Sequence, residues 1–371
     1  MRSPLRGMQS KVSGETVVAG SVVRVSSMVE RAHTIAEDVL FPAALEVDAR
    51  GVIPRSHFDL LAAQGFYGIA GEPEQGGVEV DFPSLIGIVE TLSGGCLATT
   101  FTWMQHHSVV RGLTRTTNAD LREKVLGAAI QGELRAGVTL AGAVPHPPRL
   151  WATATDGGWL VNGAAPFVTG WGIIDVLQIS ARNTALEAGE STGTIVSGLL
   201  DAEAGAGITV EELHMVAAQG SNTVLLRFED YLLPGEKVIA EISHCDFLAN
   251  RHLSSRLNGC LAMGVAGRCI RMIGAAGCSE VAERLHLEQR AIRDRLDAGL
   301  SDPETRPAAR AAASELAYRT AGALVVVVGS TGILARQHAQ RLVREAMFTL
   351  VAAGRPEIKD SLLNVFGRVH G

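Results

Sequence analysis

The hydrophobic period of this chain changes twice, and that change restricts the fold more than any other feature. From Val22 to Arg135 apolar residues recur at spacings of three and four, over Ser27–Glu46, His57–Gly65, Phe82–Leu92 and Leu97–Leu113. That spacing predicts helices with one buried face. Pro54 followed by Arg55-Ser56-His57 reads as a helix start. Between residues 136 and 240 the runs become short and β-branched: Thr139-Leu-Ala, Trp159-Leu-Val, Val176–Ser180, Thr194-Ile-Val, Ile208-Thr-Val and Thr223–Phe228. Turn signals at Asp156-Gly157-Gly158, Asn162-Gly163 and Pro234-Gly235 separate them. From residue 241 the helical period returns, in Leu253–Ile273, Ala282–Leu296, Ala308–Val328 and Arg336–Leu350, with a break at Ser301-Asp302-Pro303. A helical pattern does not settle as a strand. The expected fold class is therefore α+β and multidomain. It comprises an N-terminal helical domain (22–135), a middle β-barrel or sandwich domain (136–240) and a C-terminal helical bundle (241–371).

Composition excludes several function classes. The 371 residues are 47% hydrophobic with a net charge of −6, and no basic stripe tracks a phosphate backbone, so nucleic acid is not an expected partner. Cys96, Cys245, Cys260, Cys269 and Cys278 form no C-x-x-C pair and no zinc spacing, which predicts buried thiols in a reducing compartment. Met1–Gly20 has no apolar centre and reads as a flexible extension rather than a signal peptide. Ala323–Val328 is apolar but too short for a membrane span, which needs about 20 residues. Together these features predict a cytoplasmic protein.

Three segments carry a resemblance. Ile53–Gly77 contains Leu61-Ala-Ala-Gln-Gly-Phe-Tyr-Gly-Ile and a Pro-Glu…Gly-Gly turn; Glu211–Val238 contains Gln219-Gly-Ser-Asn-Thr223 and a Phe-Glu-Asp-Tyr-Leu-Leu-Pro run; Gly329-Ser-Thr-Gly332 precedes Arg341-Leu-Val-Arg344-Glu345. Their order and spacing resemble the acyl-CoA dehydrogenase family over nearly the whole chain. The closing segment Arg344–Ile358 aligns without a gap to the family's R-D-A-x-x-x-x-I-Y-E-G-T-x-E-I, and the family's catalytic Glu falls on Ala353.

The resemblance implies a flavin oxidoreductase acting on the CH–CH group of an acyl thioester, with FAD as cofactor and a rebuilt or degenerate active site. In such a reaction a base within hydrogen-bond reach takes the α-proton and the flavin accepts the β-hydride. The base is missing at Ala353, and Ser255 stands at the alternative family position on the helix after the β domain. Glu357, four residues on, would share a helix face with Ala353. It reads more readily as an ordinary acid at a helix start. The family's flavin loop T-E-P-x-x-G-S-D becomes Thr139-Leu-Ala-Gly-Ala-Val-Pro-His146, with Pro147 and Pro148 following. His146 is a candidate catalytic or binding group, or an exposed loop histidine. The family's W-I-T becomes Phe167-Val168-Thr169. Phe167 keeps an aromatic wall, and Thr169 is either a hydroxyl facing the flavin or simply a good β-former.

Gly329 and Gly332 match the family's cofactor-proximal glycine turn, whereas its preceding Gln is Val326, the Thr after its Glu is Arg355, and R-x-Q-F-G is missing after Gly274. Arg355 reads as an anion partner or a solvated helix cation. His106 and His107 read as acid–base candidates or as packing residues. Two alternatives to a self-sufficient dehydrogenase follow: a non-catalytic or half-site subunit paired with a second family member, and a flavin-dependent monooxygenase on the same fold. The implied partners are acyl-CoA or an acyl-carrier thioester, within a homodimer, a homotetramer or a heteromer. No metal site is expected.

Overall fold

The computed structural model describes residues 27–183, 185, 193–205, 207–250 and 252–367. The expected N-terminal extension lies outside the described residues. The N-terminal helices are α1 (Met28–Ile35), α2 (Phe41–Arg50), α3 (Arg55–Ala63), α4 (Phe82–Gly95), α5 (Leu97–Arg115) and α6 (Ala119–Gln131). Ser27 and Glu30 form a reciprocal capping box at the start of α1. Gly132, at φ 74°, closes α6 in the left-handed region.

The middle strands are β1 (Ala136–Thr139), β2 (Leu150–Thr155), β3 (Gly158–Val168), β4 (Val176–Asn183), β5 (Thr194–Asp201), β6 (Ile208–Glu212), β7 (Val224–Pro234) and β8 (Val238–Ser243). They form one mixed sheet in the order β6-β7-β3-β2-β4-β5-β8. β1 pairs in parallel with β4 from Ala136↔Val176 to Thr139↔Ile179, and β2 meets the far end of β4 at Trp151↔Arg182. The sheet turns back on itself: a Cβ placed on Gly198 of β5 would lie 2.8 Å from the Leu233 side chain of β7, a strand distant in the sheet order. Leu150, Val161, Leu177, Ile179, Leu226 and Leu233 fill the enclosed core.

The chain then forms α7 (His244–Ala249), α8 (His252–Ala275), α9 (Ser279–Ala298), α10 (Arg306–Val328), α11 (His338–Val351) and α12 (Pro356–Phe366). The two helical regions share one seam. A Cβ on Gly264 of α8 would lie 2.3 Å from the Glu90 carbonyl oxygen of α4, so α4 and α8 cross backbone to backbone. Ser93 donates to the Leu261 carbonyl at 2.9 Å, and Arg293 of α9 donates to Glu90 at 2.8 Å. Arg268 holds Glu37 through two hydrogen bonds of 2.8 Å and donates to the Gly94 carbonyl at 2.7 Å.

Five elements, α6, β2, β8, α7 and α12, escape the periodicity reading. β2 and β8 are six residues each, too short for period alone to separate from turn. α12 begins at Pro356 because the chain breaks after Val351. The expected strand at 139–141 ends at Thr139, since Leu140 opens a turn whose carbonyl accepts from both Ala143 N and Val144 N. The cysteine expectation holds for Cys96, Cys260 and Cys269, whereas Cys245 is exposed and Cys278 half-buried. The apolar stretch at Ala323–Val328 lies in a longer helix: α10 with its following turn, Arg306–Ile333, would reach across a bilayer by length and composition alone. Its length comes from alanines that a search for large apolar runs passes over. Ala309, Ala313, Leu316, Ala317, Ala321 and Leu324 pack one face of it into the bundle core.

Candidate active site

Thr139 ends β1 with its side chain 2% exposed, and its Oγ1 has no hydrogen-bond partner. A buried hydroxyl without a partner costs about 1–3 kcal/mol, so this atom points to a ligand. The loop that follows is held from behind. Arg182, wholly buried in β4, donates to the Val144 carbonyl at 3.0 Å and also to those of Ala143 and Pro145. His244 Nε2 meets the Val144 carbonyl at 3.1 Å. Burial lowers the His244 pKa, and the charges of Arg182 and His146 lower it further. His146 itself is exposed at the loop tip.

Thr169 lies beside β1: a Cβ on Gly137 would sit 3.3 Å from the Thr169 carbonyl oxygen. Its Oγ1 is 3.1 Å from Thr223 Oγ1, which is 2.9 Å from Ser221 Oγ. All three hydroxyl residues are buried. Phe167 adopts φ 57°, and its ring is 65% exposed. A left-handed backbone at a bulky residue is unfavourable by about 1–2 kcal/mol, and here it leaves an aromatic residue exposed two positions before buried Thr169. Thr102 of α5 closes the other side, in van der Waals reach of Gly170.

The C-terminal segment reaches this junction through α11. Arg344 donates to Asp48 of α2 and, at 2.8 Å, to the Val216 carbonyl between β6 and β7. Phe348 meets Phe101 of α5 edge-on, ring centroids 5.0 Å apart. Ala353 is exposed at φ 51° in the turn after α11. Buried Arg310 anchors that turn by donating to the Thr349 carbonyl at 3.1 Å and the Ala352 carbonyl at 3.4 Å.

Glu357 does not share a helix face with Ala353. α11 ends at Val351 and α12 starts at Pro356, so the i, i+4 relation is lost. Glu357 is exposed in the first turn of α12, with Arg355 at 3.8 Å. Ser255 is half-buried at the start of α8, next to Arg256, whose Nε donates to Asp297 at 2.6 Å. Gly329, at φ 75°, turns the chain after α10, and Gly332 is buried in the short 3-10 helix that follows. Val326, Ile333 and Leu334 around them are exposed.

His106 and His107 sit in the helical core. His106 Nε2 donates to the Ala129 carbonyl at 3.0 Å, and its Nδ1 accepts from Ala136 N at 3.1 Å. That tautomer is neutral, and burial pushes the His106 pKa down to about 4. His107 lies against the rings of Trp103, Tyr67 and His106, and neither of its nitrogens has a partner. His106 therefore joins α5 to α6 and β1, which is a packing role.

Sequence reasoning passed over Ser221, Thr223, Arg182 and Arg310. A hydroxyl residue in a β run has no local signature, and both arginines act on carbonyls at least 37 positions away. Among the described residues no cluster of three or more His, Cys, Asp or Glu is placed to hold a metal.

This arrangement has known counterparts. The profile of the "Acyl-CoA dehydrogenase, N-terminal domain" family matches residues 25–133. The mitochondrial 2-methylacyl-CoA dehydrogenase of Solanum tuberosum is 22% identical over 89% of this chain and 87% of its own length. Residues 25–133 thus match the N-terminal domain of acyl-CoA dehydrogenases, and the chain as a whole is similar to members of that family. Butyryl-CoA dehydrogenase from Megasphaera elsdenii superposes with a TM-score of 0.78 at 19% identity, covering 92% of this chain and 97% of that one. PigA, solved with FAD and proline, superposes with a TM-score of 0.77 at 18% identity, covering 94% and 99%. At these identities the solved structures speak for the acyl-CoA dehydrogenase fold, and the site must be argued from this chain's own residues.

Proposed function

We propose that this chain is a flavin-dependent oxidoreductase of acyl-CoA dehydrogenase type, acting on the CH–CH group of an acyl thioester. The observation that carries the proposal is the buried, unpartnered Thr139 Oγ1, together with buried Thr169, at the two positions where the family resemblance expects ring contacts. FAD, present in the PigA structure, is the cofactor those hydroxyls fit, and when bound it supplies the two-electron acceptor. Thr139 and Thr169 hold its ring, Phe167 walls it, and Gly329 and Gly332 shape the turn on the bundle side. The α-proton of the thioester needs a base in place of the family Glu, and Glu357 or His146 is assigned that role. Both are exposed, so each has to close on the substrate when it binds.

The other end of the cofactor favours a second reading, a half-site subunit of a heteromer. At the Ser of the family's flavin loop this chain has Pro145, which offers neither a hydroxyl nor an N–H. The amides of Ala143 and Val144 are already committed to the Leu140 carbonyl. Diphosphate contacts must then come from outside this loop, and a second chain is one source.

The visible absorption spectrum of the purified protein, alone and with FAD, tests both readings. Bound-flavin bands that bleach anaerobically with an acyl-CoA support the enzyme, and Glu357→Gln or His146→Ala then abolishes bleaching. If neither variant changes it, the base assignment is wrong. A colourless protein that takes up FAD only with a second family member supports the half-site subunit.

A further inference from the structure

We propose that Ser221 and Thr223 are positioning residues that commit the Thr169 hydroxyl to donate its proton outward, to a hydrogen-bond acceptor on the flavin ring. The inference rests on the flavin reading above and adds to it the direction of a hydrogen bond and the residues that set it.

The argument is a count of protons. Ser221, Thr223 and Thr169 form a chain of hydroxyls with contacts of 2.9 and 3.1 Å. Three hydroxyls carry three protons, and two contacts use two of them. One proton is left over, and its position depends on the direction in which the chain runs. If Thr169 donates inward to Thr223 and Thr223 to Ser221, the spare proton sits on Ser221, which is 0% exposed. If both ends donate to Thr223, the spare proton sits on Thr223 in the middle of the chain, 4% exposed. A buried donor without an acceptor is unfavourable in either case. If Ser221 donates to Thr223 and Thr223 to Thr169, the spare proton sits on Thr169, also 4% exposed but at the end of the chain that the flavin reading places against the ring, two positions from exposed Phe167. A ligand acceptor there satisfies every donor in the chain. Hydrogen bonds in series also polarise one another, so the outward bond from Thr169 is stronger than that of an isolated threonine.

The backbone holds this chain in register. Gly170 N donates to the Ser221 carbonyl at 2.8 Å and Trp171 N to the Asn222 carbonyl at 3.1 Å, so the two segments are laced beside their hydroxyls. Asn222 between Ser221 and Thr223 takes φ 45°. That left-handed turn lets two residues separated by one position face the same neighbour.

The test is an FAD titration of the wild type, Thr223→Val, Thr223→Ser and Ser221→Ala, read as the dissociation constant and as the position of the long-wavelength flavin band. Valine keeps the shape of threonine and removes the hydroxyl; serine keeps the hydroxyl and removes a methyl. The proposal expects Thr223→Val to weaken FAD binding about tenfold and to displace the band, Ser221→Ala to do the same to a smaller extent, and Thr223→Ser to match the wild type. A packing role gives the opposite order, with Thr223→Ser impaired and Thr223→Val silent, and that result overturns the proposal. Should Thr223→Val fail to fold by circular dichroism, Ser221→Ala decides between the two. If the wild type binds no FAD, alone or with a second family member, the flavin reading falls and takes this proposal with it. If the wild type binds and both hydroxyl deletions match it, only the hydroxyl chain is refuted.

Discussion

Replacing Thr139 with valine is expected to stabilise the ligand-free protein and weaken flavin binding at once. The hydroxyl is buried, 2% exposed for the residue, with no hydrogen-bond partner for Oγ1. An unsatisfied buried polar group costs about 1–3 kcal/mol, and valine removes it without changing side-chain shape. Valine also gains a few tenths of a kcal/mol as a β-former. The expected gain is about 1–2 kcal/mol, which separates this site from ordinary core substitutions, most of which destabilise. If the same hydroxyl holds the cofactor, its loss removes one hydrogen bond from the complex, about 1 kcal/mol, or roughly a fivefold rise in the FAD dissociation constant. Urea unfolding of the apo protein and fluorescence titration with FAD measure the two halves. Thr153→Val on exposed β2 controls for strand propensity. A Thr139→Val protein that is no more stable than the Thr153→Val control shows that Oγ1 has a partner. Unchanged FAD affinity removes Thr139 from the site.

Further outcomes follow from other parts of the molecule. Gly264→Ala places a Cβ 2.3 Å from the Glu90 carbonyl, so α4 and α8 must part; a loss of about 3 kcal/mol is expected in urea unfolding. Gly322→Ala on α10, with nothing within 4 Å of the new Cβ, should gain about 0.5–1 kcal/mol. Burial holds the pKa of His106 at about 4, and burial with the charges of Arg341 and Arg268 does the same for His338. Both stay neutral in the fold while the unfolded chain takes up protons below its ordinary histidine pKa of about 6.5. Stability is therefore fully present above about pH 6.5 and falls as the pH drops toward about 4. The buried His106 alone accounts for roughly 3 kcal/mol of that loss, and a flat unfolding profile across this range would refute the assignment. Arg310→Met leaves the Ala352 carbonyl without its arginine donor and the Thr349 carbonyl with Ser314 alone. Faster hydrogen exchange in the Ala353 turn, with the β domain unchanged, is the expected signature.

Periodicity alone carried the order of the elements. The shift from helical spacing to short β-branched runs and back is written residue by residue, because the repeat of a helix or strand is a local property. The main helices and the strands around Trp159, Val176, Thr194 and Ile208 were readable in this way, whereas the alignment of Ala353 with the family's Glu came from the resemblance. Contacts between segments were not. Whether Glu357 faces Ala353 depended on a helix break after Val351. Whether Thr139 has a partner depended on every surface packed around it. Arg182 reaches back 37 to 39 positions to hold the loop after β1, and Thr169 finds Thr223 54 positions away. Buried hydrogen bonds have no spacing rule, since their partners are brought together by the close packing of apolar faces. The chain's own pattern chose the layers, and packing among those layers set which hydroxyls are satisfied and which are not.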